Sequence, residues 1–457
     1  MSLPRYGKYK DSGLDWLGKV PAHWSIKRLR FVVELNPSKA ELASIDRATE
    51  VSFLPMEAIG EDGSIRLEYT RTIAEVEAGY TYFRDGDVTL AKITPCFENG
   101  KGALMQGLAA GIGFGTTELI VARPKASQVL GSLLNWIFRS PNFRAQGEAS
   151  MYGAGGQKRV PDDFVRNLAW AFPPLEEQSA ITIFLECETV KIDALIAEQE
   201  KLIALLAEKR QATISHAVTK GLNPNVSMKD SGVAWLGQVP AHWEVVGLTK
   251  YLESVVDYRG RTPTKVDEGV FLVTAKNIRD GAIDYGASQE YIAPSEYGDV
   301  MRRGRPLAGD VLFTTEAPLG EVASVDREDI ALAQRVIKFR ADSQRLLNDF
   351  LKYWIMGSAC QFNLGQLATG STALGIKGSK IGQLRLCLPT VREQVEIVSY
   401  VESEVQRLVL LKAEADLAIK LLKERRSALI AAAVTGQIDV RGTMPRAVVE
   451  RQEAIAA

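Results

Sequence analysis

The chain has 457 residues, of which 46% are hydrophobic and 24% charged, and its formal net charge is −1. The length predicts two or more domains, because single cores rarely grow beyond about 250–300 residues, and no apolar run approaches the roughly 18 residues that span a bilayer. The balanced charge gives no support to a nucleic-acid partner, which a basic excess would provide.

A short element near the N-terminus, Lys10–Trp24, returns almost unchanged at Lys229–Trp243, with twelve of fifteen residues identical. A second pair of segments, Pro173–Ile181 and Pro389–Ile397, repeats at nearly the same offset. Two such blocks in register indicate an internal repeat. The stretches between the blocks are much less alike, so we expect a conserved frame around two divergent domains that bind two different things.

The repeat divides the chain into a common element, a variable domain and a long helix, and the same parts then recur. The predicted boundaries are 1–24 for the first common element, 25–174 for the first variable domain, 175–220 for the central helix, 221–243 for a linker with the second common element, 244–390 for the second variable domain, 391–436 for the C-terminal helix and 437–457 for a tail.

Both variable domains mix short β-type runs with one or two helices, which predicts an α+β fold. In the first domain Asp87–Ile93 and Glu118–Ala122 read as strands and Leu130–Arg139 as a helix. Matching runs occur in the second domain. Each domain then carries a glycine-rich loop, at Gly153–Arg159 and at Thr369–Lys377.

The two long helices follow Pro174 and Pro389, and Gly221 and Gly436 come after them, as start and stop signals. Apolar residues repeat with a period of 3.5, which is typical of a coiled coil. The predicted seam comprises Leu185, Ile192, Ile203 and Leu206 in the first helix and Val401, Leu408, Ile419 and Leu422 in the second.

Two matched helices in one chain favour an antiparallel pair about a pseudo-two-fold axis, while the alternative is that each helix packs on its own domain. From Val401 to Leu429 such a rod is about 43 Å long, slightly more than the roughly 34–36 Å of one turn of B-DNA. We therefore expect a spacer of fixed length. Because the common element precedes the first domain and also follows the first helix, we expect residues 1–24 to dock beyond the second helix and close a ring.

Signatures of an enzyme are missing from the sequence. It has no (N/D)PP(Y/F) motif for methyl transfer, no lysine with a carboxylate two residues before it for a nuclease, and no GxxxxGK(S/T) loop for ATP. The glycines of Gly111–Gly115 do not open a helix, so a cofactor loop is not favoured. His23, His216 and His242 have no cysteine or acidic partners at metal-ligand spacing, and we expect no metal site.

Several segments together resemble a known family. They are the paired SG…WLG…VPAHW elements, GDVTLAKITPCFENGKGAL (Gly86–Leu104), YRGRTPTK (Tyr258–Lys265), GDVLFTTEAPLGEV (Gly309–Val322) and the PP/PT-x-x-EQ start of each helix. The chain resembles the specificity subunits of Type I restriction-modification systems over nearly its whole length. The four cysteines, Cys96, Cys187, Cys360 and Cys387, lie far apart without CxxC spacing, so we expect reduced thiols in the cytoplasm.

The resemblance implies two target-recognition domains, each reading one half of a bipartite site in double-stranded DNA, and two helices that dock two methyltransferase subunits. Translocase-nuclease subunits then join the complex. The chain itself would bind no cofactor, and S-adenosylmethionine, ATP and Mg²⁺ would bind to the partner subunits. Two alternatives stay open: a self-contained nuclease or methyltransferase with unrecognised motifs, and a scaffold that never touches DNA.

Candidate DNA contacts are polar and basic side chains on or near the loops of the two variable domains. Arginine and lysine suit guanine or phosphate, while asparagine and glutamine suit adenine. Any single one is more often a solvated surface residue, so the prediction depends on their concentration as a set on glycine-rich loops. The candidates are Lys92, Thr94, Asn99, Lys101, Gln157, Lys158 and Arg159 in the first domain, and Arg259, Arg261, Thr262, Arg302, Arg303, Gln334, Lys377 and Lys380 in the second.

Overall fold

The computed structural model describes residues 3–154, 156–260, 263–370 and 374–443. It contains two compact units, the first built from residues up to Glu198 and from Ala418 onward, the second from Gln199–Leu417. Each unit combines a mixed α+β domain with parts of two long helices, so the predicted fold class is confirmed. None of the described helices is both long and apolar enough to cross a membrane.

The first unit begins with the common element and continues into the first α+β domain. Its elements are β1 (Tyr9–Asp11), β2 (Lys19–Pro21), β3 (Ser25–Arg28), α1 (Leu29–Val32), β4 (Val33–Leu35), β5 (Glu50–Leu54), β6 (Thr70–Thr72), α2 (Ile73–Val76), β7 (Thr81–Arg84), β8 (Val88–Ala91), β9 (Gly102–Leu104), β10 (Ile112–Gly115), β11 (Leu119–Pro124), α3 (Gly131–Arg139), α4 (Pro141–Ser150), α5 (Asp162–Asn167) and β12 (Ala169–Phe172).

The long helix α6 (Leu175–Lys220) follows, and the second half of the chain then repeats the plan. Its elements are β13 (Met228–Asp230), β14 (Gln238–Pro240), β15 (Glu244–Gly247), β16 (Leu252–Asp257), β17 (Lys265–Val266), β18 (Val270–Val273), β19 (Ile278–Arg279), β20 (Ala282–Ile283), β21 (Tyr291–Ile292), α7 (Tyr297–Val300), β22 (Val311–Thr315), β23 (Leu319–Ser324), β24 (Ile330–Leu332), β25 (Val336–Ala341), α8 (Asn348–Met356), α9 (Ser358–Leu367), β26 (Arg385–Leu388) and the second long helix, α10 (Val391–Val434).

One four-stranded antiparallel sheet is the same in both domains. Its order is β4-β11-β8-β9 in the first and β16-β25-β22-β23 in the second. The other four-stranded sheet keeps one parallel pair, β5 with β10 and β18 with β24, but differs at its edges. In the first copy β7 lies beyond β10, whereas in the second β24 is itself an edge strand and β17 forms the opposite edge. The two domains therefore share one sheet and diverge in the other.

The long helices are rich in alanine, leucine, glutamate and lysine, which are strong helix formers. Each ends just before a glycine with a left-handed backbone, Gly221 at φ 74° and Gly436 at φ 73°. In the first unit the start of α6 lies with the end of α10, where Arg426 pairs with Asp193 at 3.1 Å. Every predicted seam residue is buried or half-buried: Leu185, Ile192, Ile203, Leu206, Val401, Leu408, Ile419 and Leu422.

The predicted ring closure is present in the first unit. The backbone NH of Asp439 donates to the carbonyl of Pro4 at 2.8 Å, and the Gln437 side chain donates to the carbonyl of Lys19 at 3.0 Å. The common element thus contacts the segment directly after α10. Of the predicted tail, residues 444–457 lie outside the described residues.

The two helix-ending glycines give a matched pair of tests. A Cβ at Gly436 would overlap Pro21, whereas at Gly221 the nearest atom is Cζ2 of Trp243 at 3.2 Å. Both Gly→Ala changes carry the left-handed penalty of about 1–2 kcal/mol, and only Gly436→Ala adds overpacking of about 1–3 kcal/mol. We expect Gly436→Ala to lower the free energy of unfolding more, measured by urea denaturation. Equal losses would show that the ring closure is loosely packed.

Candidate nucleic-acid interface

In the first domain the backbone brings four predicted residues together beyond the end of β8. The NH of Thr94 donates to the carbonyl of Lys158 at 2.9 Å, and the NH of Val160 donates to the carbonyl of Lys92 at 2.8 Å. Arg159 pairs with Tyr152 on the other side. The glycine-rich loop therefore lies beside the strand extension that carries Lys92 and Thr94, and its Gln157 and Lys158 side chains are exposed.

The guanidinium of Arg159 is already occupied by a carboxylate. Its Nε and one terminal nitrogen donate to Glu118 at 3.0 and 2.8 Å, which is bidentate geometry. This hydrogen bonding lowers the pKa of Glu118 below its usual value, so the pair stays charged in weak acid. Arg159 could contact a base only if its ion pair with Glu118 opened. Lys158 is exposed and could make such a contact without that change.

The other candidates of the first domain have partners within the protein. Thr94 donates to Glu98 at 2.9 Å, Asn99 to Glu61 at 2.8 Å, and the Lys101 ammonium to the carbonyl of Met56 at 3.1 Å. Asn99 is exposed, whereas Lys101 is half-buried. These contacts favour a structural role for Lys101 and leave Asn99 accessible.

In the second domain, four of the predicted residues line one concave cavity beside Tyr258: Arg259, Arg302, Arg303 and Gln334. Arg259 forms an ion pair with Asp257, and Arg303 donates to the carbonyls of Asp257 and Arg259 at 2.6 and 2.5 Å. Hydrogen bonds from Arg259 and its charge outweigh burial and lower the pKa of Asp257. The cavity wall is therefore a built, charged surface.

The remaining candidates of the second domain lie elsewhere. Lys377 is exposed at the end of the glycine-rich loop, and the Lys380 ammonium donates to the carbonyl of Leu367 at 2.9 Å. Arg261 and Thr262 lie outside the described residues.

An ion pair lies at the loop end of the shared sheet in each domain, but only in the first domain does it join the loop to the sheet. In the first domain the acid, Glu118, precedes β11 and the base lies on the loop strand. In the second, the base, Arg335, precedes β25 and pairs at 2.8 Å with Glu316, which follows β22. The backbone of Glu316 forms a β-bridge with Gly375, and the backbone of Ile93 forms the corresponding β-bridge with Arg159 in the first domain. The second loop therefore has a glycine at the position where the first has an arginine. The two surfaces thus differ in charge at matched positions.

A buried aspartate supports the conserved sheet in each domain. Asp87 and Asp310 are each 1% exposed, and each receives a bidentate arginine from the neighbouring strand, Arg123 at 2.7 and 2.9 Å and Arg340 at 2.7 and 2.8 Å. Asp310 also pairs with the buried Lys338 at 3.2 Å. Burial alone would raise the pKa of Asp310, but the bonds from Arg340 and the NH of Leu307 outweigh it, and the pKa is lowered.

Sequence reasoning missed the glutamines that join each domain to its helix. The amide oxygen of Gln178 accepts from the NH of Leu130 at 2.8 Å, and its nitrogen donates to the carbonyls of Gln128 and Pro173. Gln394 does the same with Leu347, Arg345 and Pro389. Both side chains are fully buried. The repeated Glu-Gln pair was the available signal, since a side-chain amide combines a carbonyl acceptor with two N–H donors.

The glutamate before each glutamine holds the common element. Glu177 accepts from Trp24 at 2.9 Å and from Tyr6 at 2.5 Å, and lies 2.6 Å from His23. Glu393 lies 2.8 Å from His242 and accepts from Trp243 at 3.2 Å. These acidic partners are distant in sequence, so spacing does not reveal them. Among the described residues, no group of histidine, cysteine and acidic side chains is arranged to hold a metal ion.

Comparison with known proteins gives a consistent set of relatives, although no protein-family model matches the chain. The specificity subunit of the Type I restriction enzyme EcoAI from Escherichia coli is 43% identical over 194 residues, 42% of this chain and 32% of that protein. The EcoEI specificity subunit, also from Escherichia coli, is 40% identical over 41% of this chain and 33% of that protein. These alignments span about a third of each relative.

Longer similarity is weaker in sequence. The MjaVIII specificity subunit from Methanocaldococcus jannaschii is 25% identical over 67% of this chain and 70% of that protein. A chain from a solved structure on complex assembly and conformational transition of the type I R-M system matches with a TM-score of 0.73 at 19% identity, covering 91% of this chain and 98% of that one. The HsdS subunit from Thermoanaerobacter tengcongensis matches with 0.56 at 20% identity over the same shares. The fold is therefore shared along nearly the whole chain.

The buried aspartate predicts a pH dependence of stability. Because the folded pKa of Asp310 is lowered, its stabilisation is present above the unfolded pKa of about 3.9 and is lost as pH falls through the folded value. Asp310→Asn leaves Lys338 buried beside a neutral group, so we expect a loss of about 3–5 kcal/mol at pH 7 and a shallower decline in acid. Denaturant unfolding from pH 7 to pH 2 measures both. Asp329→Asn, which breaks an exposed pair with Arg327, is the control and should cost less than about 1 kcal/mol.

Proposed function

The chain is a homologue of the specificity subunits of Type I restriction enzymes, and on this premise we propose that it is the DNA-recognition subunit of a restriction-modification complex. Residues 25–174 and 244–390 each read one half of a bipartite site in double-stranded DNA. The observation that carries this proposal is the pairing of one shared sheet with a second sheet and loops that differ between the domains. A repeated frame with two different reading surfaces suits two different half-sites.

The same proposal assigns base or phosphate contacts to the loop surfaces. Exposed Gln157 and Lys158 in the first domain, and the cavity lined by Arg302, Arg303 and Gln334 in the second, are the parts best placed for them. Side chains already paired with carboxylates, such as Arg159 and Arg259, order these surfaces. Phosphate contacts would position the domain, and base contacts would give specificity.

The two long helices set the spacing of the half-sites and dock two methyltransferase subunits, to which translocase-nuclease subunits are added. Support comes from large apolar side chains that the helices leave exposed away from the seam. In the second unit these include Leu202, Leu205, Leu410 and Leu417, each more than 40% exposed, and in the first unit Val190, Leu195 and Leu421. Apolar side chains exposed together along a helix are typical of a surface that binds another protein.

In this proposal the chain performs no chemistry and binds no cofactor. S-adenosylmethionine, ATP and Mg²⁺ bind to the partner subunits, and the complex acts in the cytoplasm. Incubation of the purified chain with DNA, Mg²⁺ and S-adenosylmethionine separates this reading from a self-contained enzyme: turnover without partners would contradict it.

Exchange of one domain within the chain tests the assignment of half-sites. Replacing residues 25–172 by a copy of 244–388 keeps the frame and gives both positions the same reader. We expect the methylated motif to become two copies of the second half-site at the original spacing, because the reading surface travels with the domain. Methylome sequencing of cells expressing the complex measures this. An unchanged motif would contradict the proposal, as would footprinting that shows no protected DNA.

Insertion of one heptad in α6 and one in α10 tests the spacer. Seven residues add about 10.5 Å of helix, roughly three base pairs at 3.4 Å each. We expect the gap between half-sites to widen by about this amount while both half-site sequences stay the same. An insertion in α6 alone is the control and should disrupt the seam. A change in half-site sequence on double insertion would show that the helices do not act as a spacer.

A further inference from the structure

A basic surface lies at one corner of the first unit, where β3 runs into α1. Two shallow concavities meet there and share Arg30 and Phe31 in their walls. Lys27 and Arg28 line one of them, and Lys125 and Arg166 line the other. Glu34 is the one carboxylate among the residues that line the two concavities. We call this set of five cations the basic corner.

The cations of the basic corner are held by neutral groups. Lys27 donates to the side chain of Gln128 at 2.6 Å, Arg30 to that of Asn167 at 3.0 Å, and Lys125 to the carbonyl of Phe31 at 3.3 Å. Within the described part of the chain, the ion pairs of the first unit involve other cations. None of the five cations therefore forms an ion pair within 4 Å among the described residues.

Phe31 stands between the two concavities with 58% of its surface exposed, and the Arg30 guanidinium lies 5.1 Å from its ring centre. Arg28, Arg30, Lys125 and Arg166 are also exposed. An open basic surface of this kind matches a chain of phosphates, whose charges are spaced along a line. The centres of protein–protein interfaces are depleted in lysine and enriched in arginine and aromatic residues, so a protein partner is the alternative that the experiment has to separate from DNA.

The matching surface of the second unit carries less positive charge, although Arg385 stands there at the position of Ala169. Gly247 pairs with Arg385 as Arg28 pairs with Ala169, and the NH of Asp342 donates to Tyr251 as that of Lys125 donates to Val32. Glycine and aspartate thus replace an arginine and a lysine. Two of the three cations that are present, Lys250 and Arg345, lie 3.7 and 3.6 Å from Glu244, and the third is Arg385. The pseudo-symmetry of the chain is broken at this corner.

The basic corner lies at the far end of the conserved sheet from the candidate base contacts. Leu119 at one end of β11 faces Ala91, the neighbour of Lys92, and Pro124 at the other end precedes Lys125. Five steps along a strand cover about 17 Å, which equals roughly five base pairs of duplex. The corner is therefore too far away to touch the base pairs that the loops would read.

We propose that the basic corner binds the phosphate backbone of duplex DNA outside the half-site read by the first domain, a contact that the second domain lacks. This inference rests on the proposed function, because it assumes that DNA lies on the first domain. The cations hold phosphates, and Phe31 offers an apolar contact to the sugar between them. DNA binding is then asymmetric: the flank on the side of the first domain adds affinity and the other flank does not.

The experiment compares the full chain with a variant carrying Arg28→Ala, Arg30→Ala and Arg166→Ala. The probe is a random-sequence duplex of 40 base pairs, with the dissociation constant measured by fluorescence anisotropy at several NaCl concentrations. Three lost phosphate contacts reduce the slope of log K against log salt by about 2.7, and affinity near 0.1 M salt falls at least about tenfold. The matched control, Lys250→Ala with Arg345→Ala in the second unit, should leave both quantities unchanged.

The outcomes separate this inference from the proposed function. An unchanged slope with normal thermal unfolding overturns the basic corner as a DNA site. An unchanged slope together with loss of co-purifying methyltransferase subunits overturns it in favour of a protein-binding site. If the wild-type complex methylates no bipartite motif, the proposed function fails, whereas the salt slopes on random DNA still decide the role of the corner. The altered side chains are exposed, so unfolding temperatures should match the wild type.

Discussion

The contact on which the frame depends is the one between a buried indole and a glutamate at the start of a long helix. Trp24 donates to Glu177 in the first unit and Trp243 donates to Glu393 in the second. Each glutamate is in the first turn of its helix, where the helix dipole stabilises a negative charge. The same indoles meet the glycines that end the other helix, Trp24 at Gly436 and Trp243 at Gly221. A single tryptophan thus connects the start of one helix to the end of the other.

Each variable domain is attached to its long helix by the glutamine that follows this glutamate. Gln178 and Gln394 satisfy one backbone NH and two backbone carbonyls, all at the junction between domain and helix. These bonds involve the backbone of the domain rather than its side chains. The domain sequence can therefore change without loss of the junction, and the buried Asp87 and Asp310 keep the conserved sheet in place beneath surfaces that differ.

Sequence analysis predicted the frame well, because its signals are local and occur twice. The helices run from Leu175 and Val391, next to the prolines that predicted their starts, and the contact of Asp439 with Pro4 matches the predicted closure. Contacts between distant residues were not predictable from one sequence. Glu177, the acidic partner of His23, is far from it along the chain, so the residues next to His23 gave no sign of this pair. The ion pair between Arg159 and Glu118 was not predicted for the same reason, since residues that meet across a sheet leave no spacing pattern in the sequence.

The repeat also explains why the net charge of the whole chain gives no indication of a nucleic-acid partner. A net charge of −1 averages over two halves that are alike in fold and unlike in surface. At the corner between β3 and α1, one half exposes cations held by amides and carbonyls, whereas the other places Lys250 and Arg345 near Glu244. A duplication starts with identical surfaces, so a difference of this size requires several substitutions in the same direction. The residues that hold the helices are matched between the two halves, whereas the exposed charges around them differ. A functional difference between the halves would therefore arise from the surface and not from the fold.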